Sequence, residues 1–387
     1  MAITGSAMTT CLGDLDATFR ALLEGRSGVG PLRCGDPEKL NVRNGYVITD
    51  AEPDAPHLAD SPRLAARWLA RTVADALADA GVDPARRRVA VVVGTGLREL
   101  RAVEQWYADG AELRLAQLHF AEAVRSVAPE VTEVHTLANA CAASGYALAL
   151  AADLLELGEA DAVVAAGCDT MTESMLAMIG RVGTATADMV RPFDADRDGV
   201  LLGEGAVAVV LERADELRDG QRPLALLRGV GVGCDAHHET APDPTGIVAT
   251  IRDAHDRAGV TPDEIGLVVA HGTSTALNDP TEAAALLETF GADGPVVTGI
   301  KGTVGHTSGG AALMSLLIAV AAMDAGLVPP VVGLRMPIAE AAKLGLVYGE
   351  AVPTRARLAQ VNAFGFGGVN AVTIVEACVG APLGGPS

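Results

Sequence analysis

The chain is expected to fold as a mixed α/β protein made of two similar halves, and three observations in its 387 residues lead there. Short apolar runs of strand type alternate with Ala-rich stretches of helical type. One stretch recurs further along the chain in the same order. Hydrophobic residues make up 49% of the chain and aromatic ones only 3%, so a large core has to be assembled mostly from Ala, Val and Leu.

The strand-type runs come in the order "RVAVVVGTG" (88–96), "DAVVAAGC" (161–168), "GAVAVVLE" (205–212), "IGLVVAHGT" (265–273), "GPVVTGI" (294–300) and "NAVTIVEA" (370–377). They are apolar at consecutive positions, whereas a strand covered on one face alternates. They therefore predict a sheet with helices on both faces. The longest uncharged apolar run, "TSGGAALMSLLIAVAAM" (307–323), is short for a membrane span and opens with two glycines, which predicts a buried helix. "AGVDPARRRVAVVVGT" (80–95) matches "AGVTPDEIGLVVAHGT" (258–273) at a constant offset of 178, each reading as helix end, turn, strand and Gly-Thr. "CAASGYALAL" (141–150) pairs with "GHTSGGAALM" (305–314) at an offset of 164 through a shared Ser-Gly. Two matches in the same order predict a duplication about a pseudo-dyad, with halves at 1–220 and 221–387. They also bring the helix starts at "ANACAASG" and "GTVGHTSG" to one central place.

A net charge of −20 argues against nucleic acid or an anionic membrane as the main partner. The opening "MAITGSAMTTCLGD" lacks the basic and apolar regions of a secretion signal. Six scattered cysteines without a CxxC pair then predict reduced thiols in the cytoplasm.

The chemistry is sought at Cys141. It stands at the start of an Ala-rich helix, where unpaired N–H groups and the helix dipole favour a thiolate and can hold an oxyanion. Ala140, Ala142 and Ala143 leave room for a substrate, although a small buried cysteine filling a gap fits the same stretch. His271 ends a strand in "VVAHGTSTALNDP", and His306 lies in the Gly-rich "KGTVGHTSGG" before a helix. The repeat brings both toward Cys141, and Cys with His is a common way to activate a sulfur nucleophile. Lys301 precedes His306 by five residues within an apolar segment. The loop "NAFGFGGVN" (362–370) combines four glycines with Phe364 and Phe366, enough to place a bulky gate on a flexible backbone. No metal site is expected: His237 and His238 have no matching ligand cluster. No Walker or dinucleotide loop follows a strand. In "SPRLAARWLARTVADAL" (61–77), Arg63, Arg67 and Arg71 recur every four residues and predict a basic helix face, with Leu64, Trp68 and Leu69 turned inward.

Taken together, "ITG" (3–5), "LLEGRSGV" (22–29), "ACAASG", "RPFDADRDG" (191–199), "DAHHETAPDPTG" (235–246), "HGTSTALNDPTE" (271–282), "KGTVGH" (301–306) and "NAFGFGGVN" resemble an elongating β-ketoacyl-acyl carrier protein synthase of fatty acid or polyketide synthesis, nearly end to end. The resemblance implies a thiolase-like fold, two duplicated βαβαβαββ halves in a five-layered αβαβα arrangement, usually dimeric as a homodimer or with a related chain-length subunit. It implies that Cys141 carries the acyl chain and that His271 and His306 promote decarboxylation of a malonyl thioester, with Lys301 supporting His306. Glu282 matches a structural or proton-handling acid. Phe364 matches the gate and supplies the second oxyanion N–H beside that of Cys141. Thr273 and Thr275 match residues that hold the phosphopantetheine arm of an acyl carrier protein, which docks on a basic helix near 63–71. No cofactor of the protein's own is implied.

The stretches before and after Cys141 are shorter than the resemblance implies, and Ala363 and Val369 depart from its pattern, so the primer is expected to differ from a plain long saturated chain. An acyltransferase forming an ester or amide without decarboxylation would use the same cysteine. A non-catalytic chain-length subunit would typically lack it, and a degradative thiolase would need a second cysteine in the C-terminal Gly-rich loop, where Phe364 and Phe366 stand.

Overall fold

In the computed structural model, which describes residues 1–32, 37–49, 63–182 and 186–378, the run 89–94 is a strand buried on both faces. Val89, Val91 and Val93 pack into one core, Ala90 and Val92 into another. Consecutive apolar residues are thus explained by two helix layers, as the sequence predicts.

The first strands are β1 (Ala2–Thr10), β2 (Val89–Gly94), β3 (Glu133–Leu137), β4 (Ala162–Asp169) and β5 (Gly205–Glu212). The later ones are β6 (Ala225–Cys234), β7 (Leu267–Val269), β8 (Val296–Thr298), β9 (Gly345–Leu346), β10 (Leu358–Phe364) and β11 (Val369–Ala377). Their order is β9-β8-β7-β10-β11-β6-β1-β5-β4-β2-β3. Each half places parallel strands outside and antiparallel strands toward the middle. Antiparallel pairing of Ala2 with Leu226 and Ile3 with Ala225 joins the halves into one continuous sheet.

Helices α1 (Leu64–Ala80) and α2 (Ala121–Val127) cover the outer face of the first half. Helices α3 (Ala143–Glu156) and, far along the chain, α7 (Ala311–Ala325) lie between the half-sheets. Between them in sequence come α4 (Glu173–Val182), α5 (Pro244–Ala258) and α6 (Asn278–Phe290), of which α5 and α6 cover the outer face of the second half. The result is the expected αβαβα layering. Helix α7 is buried along most of its length, so the one segment among the described residues that is long and apolar enough to cross a membrane, Ser308–Ala325, is a core helix.

The repeat is present in the backbone. Helix α1 ends at Ala80 before Gly81 (φ 61°), and α5 ends at Ala258 before Gly259 (φ 64°), both left-handed caps at the expected offset of 178 (259 less 81). The second match needs correction. Ala140 and Ser308 share φ of 48°, each opens a short 3₁₀ turn, and α3 and α7 begin three residues later. The offset there is 168 (308 less 140) rather than 164. The shared Ser-Gly is a coincidence of small residues, one helical turn out of register.

Candidate active site

Cys141 sits in the middle of the 3₁₀ turn Ala140–Ala142, between β3 and α3. Ala140, at positive φ, makes the chain turn sharply and projects the thiol into a cavity. Small residues make this approach possible. Ala142 packs with Ala312, Ala363 and Ala371, and a Cβ at Gly94 would collide with the backbone of Ala143 and Ser144. Burial pushes the thiol up to about 11, against the opposing pull of the Lys301 charge and of the N–H groups of Phe366 and Cys141 itself. The thiolate expected from the helix start is therefore a thiol at rest, because desolvation outweighs the helix terminus.

His271 directly follows β7 and Ala270. The Glu282 carboxylate, from α6, accepts its N–H at 2.7 Å and that of Gly272 at 2.8 Å. Lys301 opens the one-turn helix Lys301–Val304; its Nζ lies 3.3 Å from His271 Nδ1 and donates to the His271 carbonyl. An ammonium only donates, so Nδ1 is the acceptor and Nε2 carries the proton. His306 meets His271 edge-on, with ring centroids 5.4 Å apart and an interplanar angle of 84°. Its main chain is pinned to Leu201 and Gly203 at 2.9 Å each, and its Nδ1 is buried without a hydrogen-bond partner. Burial first, and the Lys301 charge second, hold both imidazoles well below the usual histidine range. Both are neutral near pH 7.

The structure brings Cys141, His271, His306, Thr273, Thr275, Phe364 and Phe366 to one cavity. It relocates several of the expected roles. Lys301, expected to support His306, hydrogen-bonds His271 instead, because the one-turn helix aims its side chain beneath the end of β7, while its charge bears on both imidazoles. Glu282 is fully buried behind His271 and faces backbone donors instead of substrate. Phe364, expected as the gate, is 5% exposed and packs on the His271 ring, whereas Phe366, beyond the end of β10, is 43% exposed and supplies the N–H that reaches the sulfur. The Thr273 and Thr275 hydroxyls lie 2.9 Å apart. Of the arginines, Arg67 and Arg71 are exposed on α1, and Arg71 faces Asp75 at 3.7 Å. Arg63 departs from that face: it caps the helix at positive φ, its Nε is buried, and its charge bears on the buried Glu99.

Two buried carboxylates and one stretch of cavity lining escape sequence reasoning. Asp279 accepts from the N–H groups of Phe193, Thr273 and Ser274 at 2.7 to 3.0 Å. Asp169 accepts from Thr95 Oγ1, Gly96 N, Leu97 N and, across the halves, Gly309 N at 2.6 to 2.8 Å. Burial raises Asp169 to about 6 despite these donors. Met175, Met178 and Ile179 of α4 line the cavity with Val200 and Leu202. No residue from 97 to 139 reaches it, so of the two short stretches only the one after Cys141 shapes this pocket. Among the described residues no group of His, Cys, Asp or Glu could hold a metal ion.

A thiol on a sharp turn at a helix start, two neutral imidazoles and a lysine-locked tautomer, gathered between two half-sheets, define a thiolase-fold acyl-transfer enzyme. The family models "Beta-ketoacyl synthase, N-terminal domain" and "Beta-ketoacyl synthase, C-terminal domain" match residues 1–216 and 224–335, and the chain belongs to the β-ketoacyl synthase family. It is 27% identical to 3-oxoacyl-[acyl-carrier-protein] synthase 2 of Coxiella burnetii, with 97% of each chain covered. It is 31% identical to nodulation protein E of Rhizobium meliloti, over 96% of this chain and 97% of that one. Among solved structures, the ishigamide ketosynthase/chain length factor superposes with a TM-score of 0.87 at 30% identity, covering 98% of this chain and 99% of that one.

Proposed function

We propose that the protein is a β-ketoacyl-acyl carrier protein synthase that condenses a Cys141-bound acyl group with a malonyl thioester and releases carbon dioxide. The observation that carries this reading is the placement of Cys141 in one cavity with two neutral imidazoles, one of them fixed as an Nε2–H donor by Lys301.

In the first half-reaction a neutral imidazole takes the Cys141 proton as the sulfur attacks the incoming thioester. The N–H groups of Cys141 and Phe366, which already point at the sulfur, receive the oxyanion. The departing carrier thiolate takes the proton. In the second, the carboxylate–carbon bond of the malonyl group breaks and its electrons move into an enolate. His271 Nε2–H hydrogen-bonds the enolate oxygen, with His306 beside it. The enolate carbon attacks the Cys141 thioester, a carbon–carbon bond forms, and Cys141 leaves as a thiolate to be reprotonated.

The same reading makes Thr273 and Thr275 contacts of the phosphopantetheine arm and an acyl carrier protein the partner, which is what the Coxiella burnetii relative's name specifies. Docking falls to Arg67 and Arg71 on α1. Strand β3 ends the sheet with an open edge, which suits pairing with a second copy or a related subunit. The free thiols of the described cysteines fit a cytoplasmic setting. The test is a pair of measurements with acyl- and malonyl-carrier thioesters: acyl mass on Cys141, and carbon dioxide release. Cys141→Ala should take up no acyl group. Acylation without carbon dioxide from the unaltered protein would leave a plain acyltransferase instead.

A further inference from the structure

Behind His271 runs a buried line of hydrogen bonds that the steps above leave unused. Asn362 Nδ2 donates to Glu282 Oε1 at 3.0 Å. Gln360 Nε2 donates to Asn362 Oδ1 at 2.8 Å, and Gln360 Oε1 lies 2.8 Å from His255 Nε2. Each contact fixes the next. Asn362 spends its amide nitrogen on the carboxylate, so its oxygen faces Gln360. Gln360 then presents its own oxygen to His255, which must donate from Nε2. The line runs from α5 in the outer layer, through β10, to the carboxylate that holds the His271 and Gly272 N–H groups.

Its setting is unusual for a purely structural device. Gln360 and Asn362 are two apart on β10 and share a face with Phe364, while Ala359 and Val361 face the central helices. That face is otherwise an apolar core of Ile247, Ile251, Val372 and Ile374. All four side chains of the line are buried, and His255 packs on Phe290 with ring centroids 5.9 Å apart. Apolar residues would fill the space without desolvating two amides and an imidazole.

We propose that Gln360 and His255 are positioning residues for decarboxylation: they anchor Asn362, which holds Glu282 and through it the His271 main chain and the Lys301 charge in the arrangement that presents His271 Nε2–H to the malonyl oxygen. This inference rests on the condensing activity proposed above. Glu282 is faced by Asp279 and Asn278 of α6, by His271, by Asn362 of β10 and by Lys301, and it is one of the charges that favour the protonated lysine. His255 is faced by Gln360, Phe290 and the charge of Asp256.

The test compares Gln360→Met with the double variant Gln360→Met, His255→Phe. In both, Asn362 loses its donor; in the double, no imidazole is left buried without its partner. Thermal stability should fall in the single variant and recover in the double. Carbon dioxide release from malonyl carrier protein should fall by at least about tenfold in kcat in both variants, because a small misplacement of a catalytic group is enough. KM should be unchanged within about twofold, since no substrate contact is removed. A looser Asn362 stabilises the Glu282 carboxylate less, so the acid limb of the rate profile should move to higher pH. Full acylation of Cys141, read by intact mass, reports that each variant is folded. Recovery of kcat together with stability in the double variant, or an unchanged kcat in the single, would overturn the inference while leaving the condensing activity standing. Absence of carbon dioxide release from the unaltered protein would overturn both.

Discussion

Replacing Lys301 by Met removes the proton donor beneath His271 while nearly keeping the side chain's length. The ammonium lies 3.3 Å from His271 Nδ1 and also donates to the His271 carbonyl. Burial brings Lys301 down to about 8, against the pull of Glu282, Cys141 and Asp279 in the other direction. Below that pH the lysine is charged and keeps Nδ1 an acceptor. Above it the charge is lost and the tautomer lock weakens. The two imidazoles titrate well below the ordinary histidine value and Cys141 at about 11, so of these four groups Lys301 is the one that changes charge near pH 8. Decarboxylation by the unaltered enzyme should therefore decline as pH rises through about 8. A hydrogen bond to a charged group is worth about 1.5–3 kcal/mol. Lost at the step that forms the enolate, it lowers the rate roughly 10- to 100-fold. Carbon dioxide release at saturating malonyl carrier protein, followed from about pH 6 to about pH 9.5, measures both effects. In Lys301→Met, kcat at pH 7 should fall by that factor and the decline near pH 8 should disappear. A variant that keeps the alkaline decline, or loses less than about threefold, would refute the assignment of Lys301 to His271.

Three further outcomes follow from particular contacts. A Cβ at Gly309 would collide with the backbone of Thr95, which cannot give, so Gly309→Ala should lower the urea midpoint by the equivalent of about 3 kcal/mol; Gly30→Ala, with nothing within 4 Å, should stay within about 0.5 kcal/mol. Reversing charge at Arg67 and Arg71, both exposed on α1, should raise KM for carrier-bound substrates and leave small N-acetylcysteamine thioesters unaffected. The difference should shrink as salt cuts the Debye length from about 10 Å at 0.1 M to about 3 Å at 1 M, and equal losses on both substrate classes would assign these arginines to the fold. Because Met175, Met178 and Ile179 of the short stretch after Cys141 line the cavity, a primer panel should show fastest turnover with something other than a long saturated chain; a plain long-chain optimum would contradict this.

The sheet was legible because burial on both faces writes itself into consecutive residues, as at 89–93 and 205–211. Cys141, His271 and His306 were legible because each is flanked by residues too small to serve packing alone. What stayed hidden depends on where an element stops or which way a side chain leans. Phe364 and Phe366 are alike in sequence, and only the end of β10 between them makes one a core residue and the other an exposed ring. Arg63 continues the arginine spacing, yet the helix begins one residue later and turns it inward. The thiol's high pKa is a balance of desolvation against a distant lysine, and neither quantity has a local signature. Asp169, Asp279, Gln360 and His255 read as ordinary polar residues until the fold buries them.

The corrected register of the repeat explains why the nucleophile and the histidines fall in different halves. With Ala140 set against Ser308, Cys141 corresponds to Gly309, and the strand before His271, whose Leu267 and Val269 face the central helices as Ala90 and Val92 do, corresponds to β2. Each half therefore has a turn before a central helix and a loop after a parallel strand, but chemistry occupies one of each. The unused turn serves packing: Gly309, without a side chain, lies against Thr95 and donates its N–H to Asp169. Asp169 in turn binds the loop at 95–97, as Glu282 and Asp279 bind the equivalent loop at 271–274. A thiol at residue 309 would meet that backbone. The duplication supplies two rigid platforms facing one cavity, and the close packing of the silent positions keeps the active ones fixed.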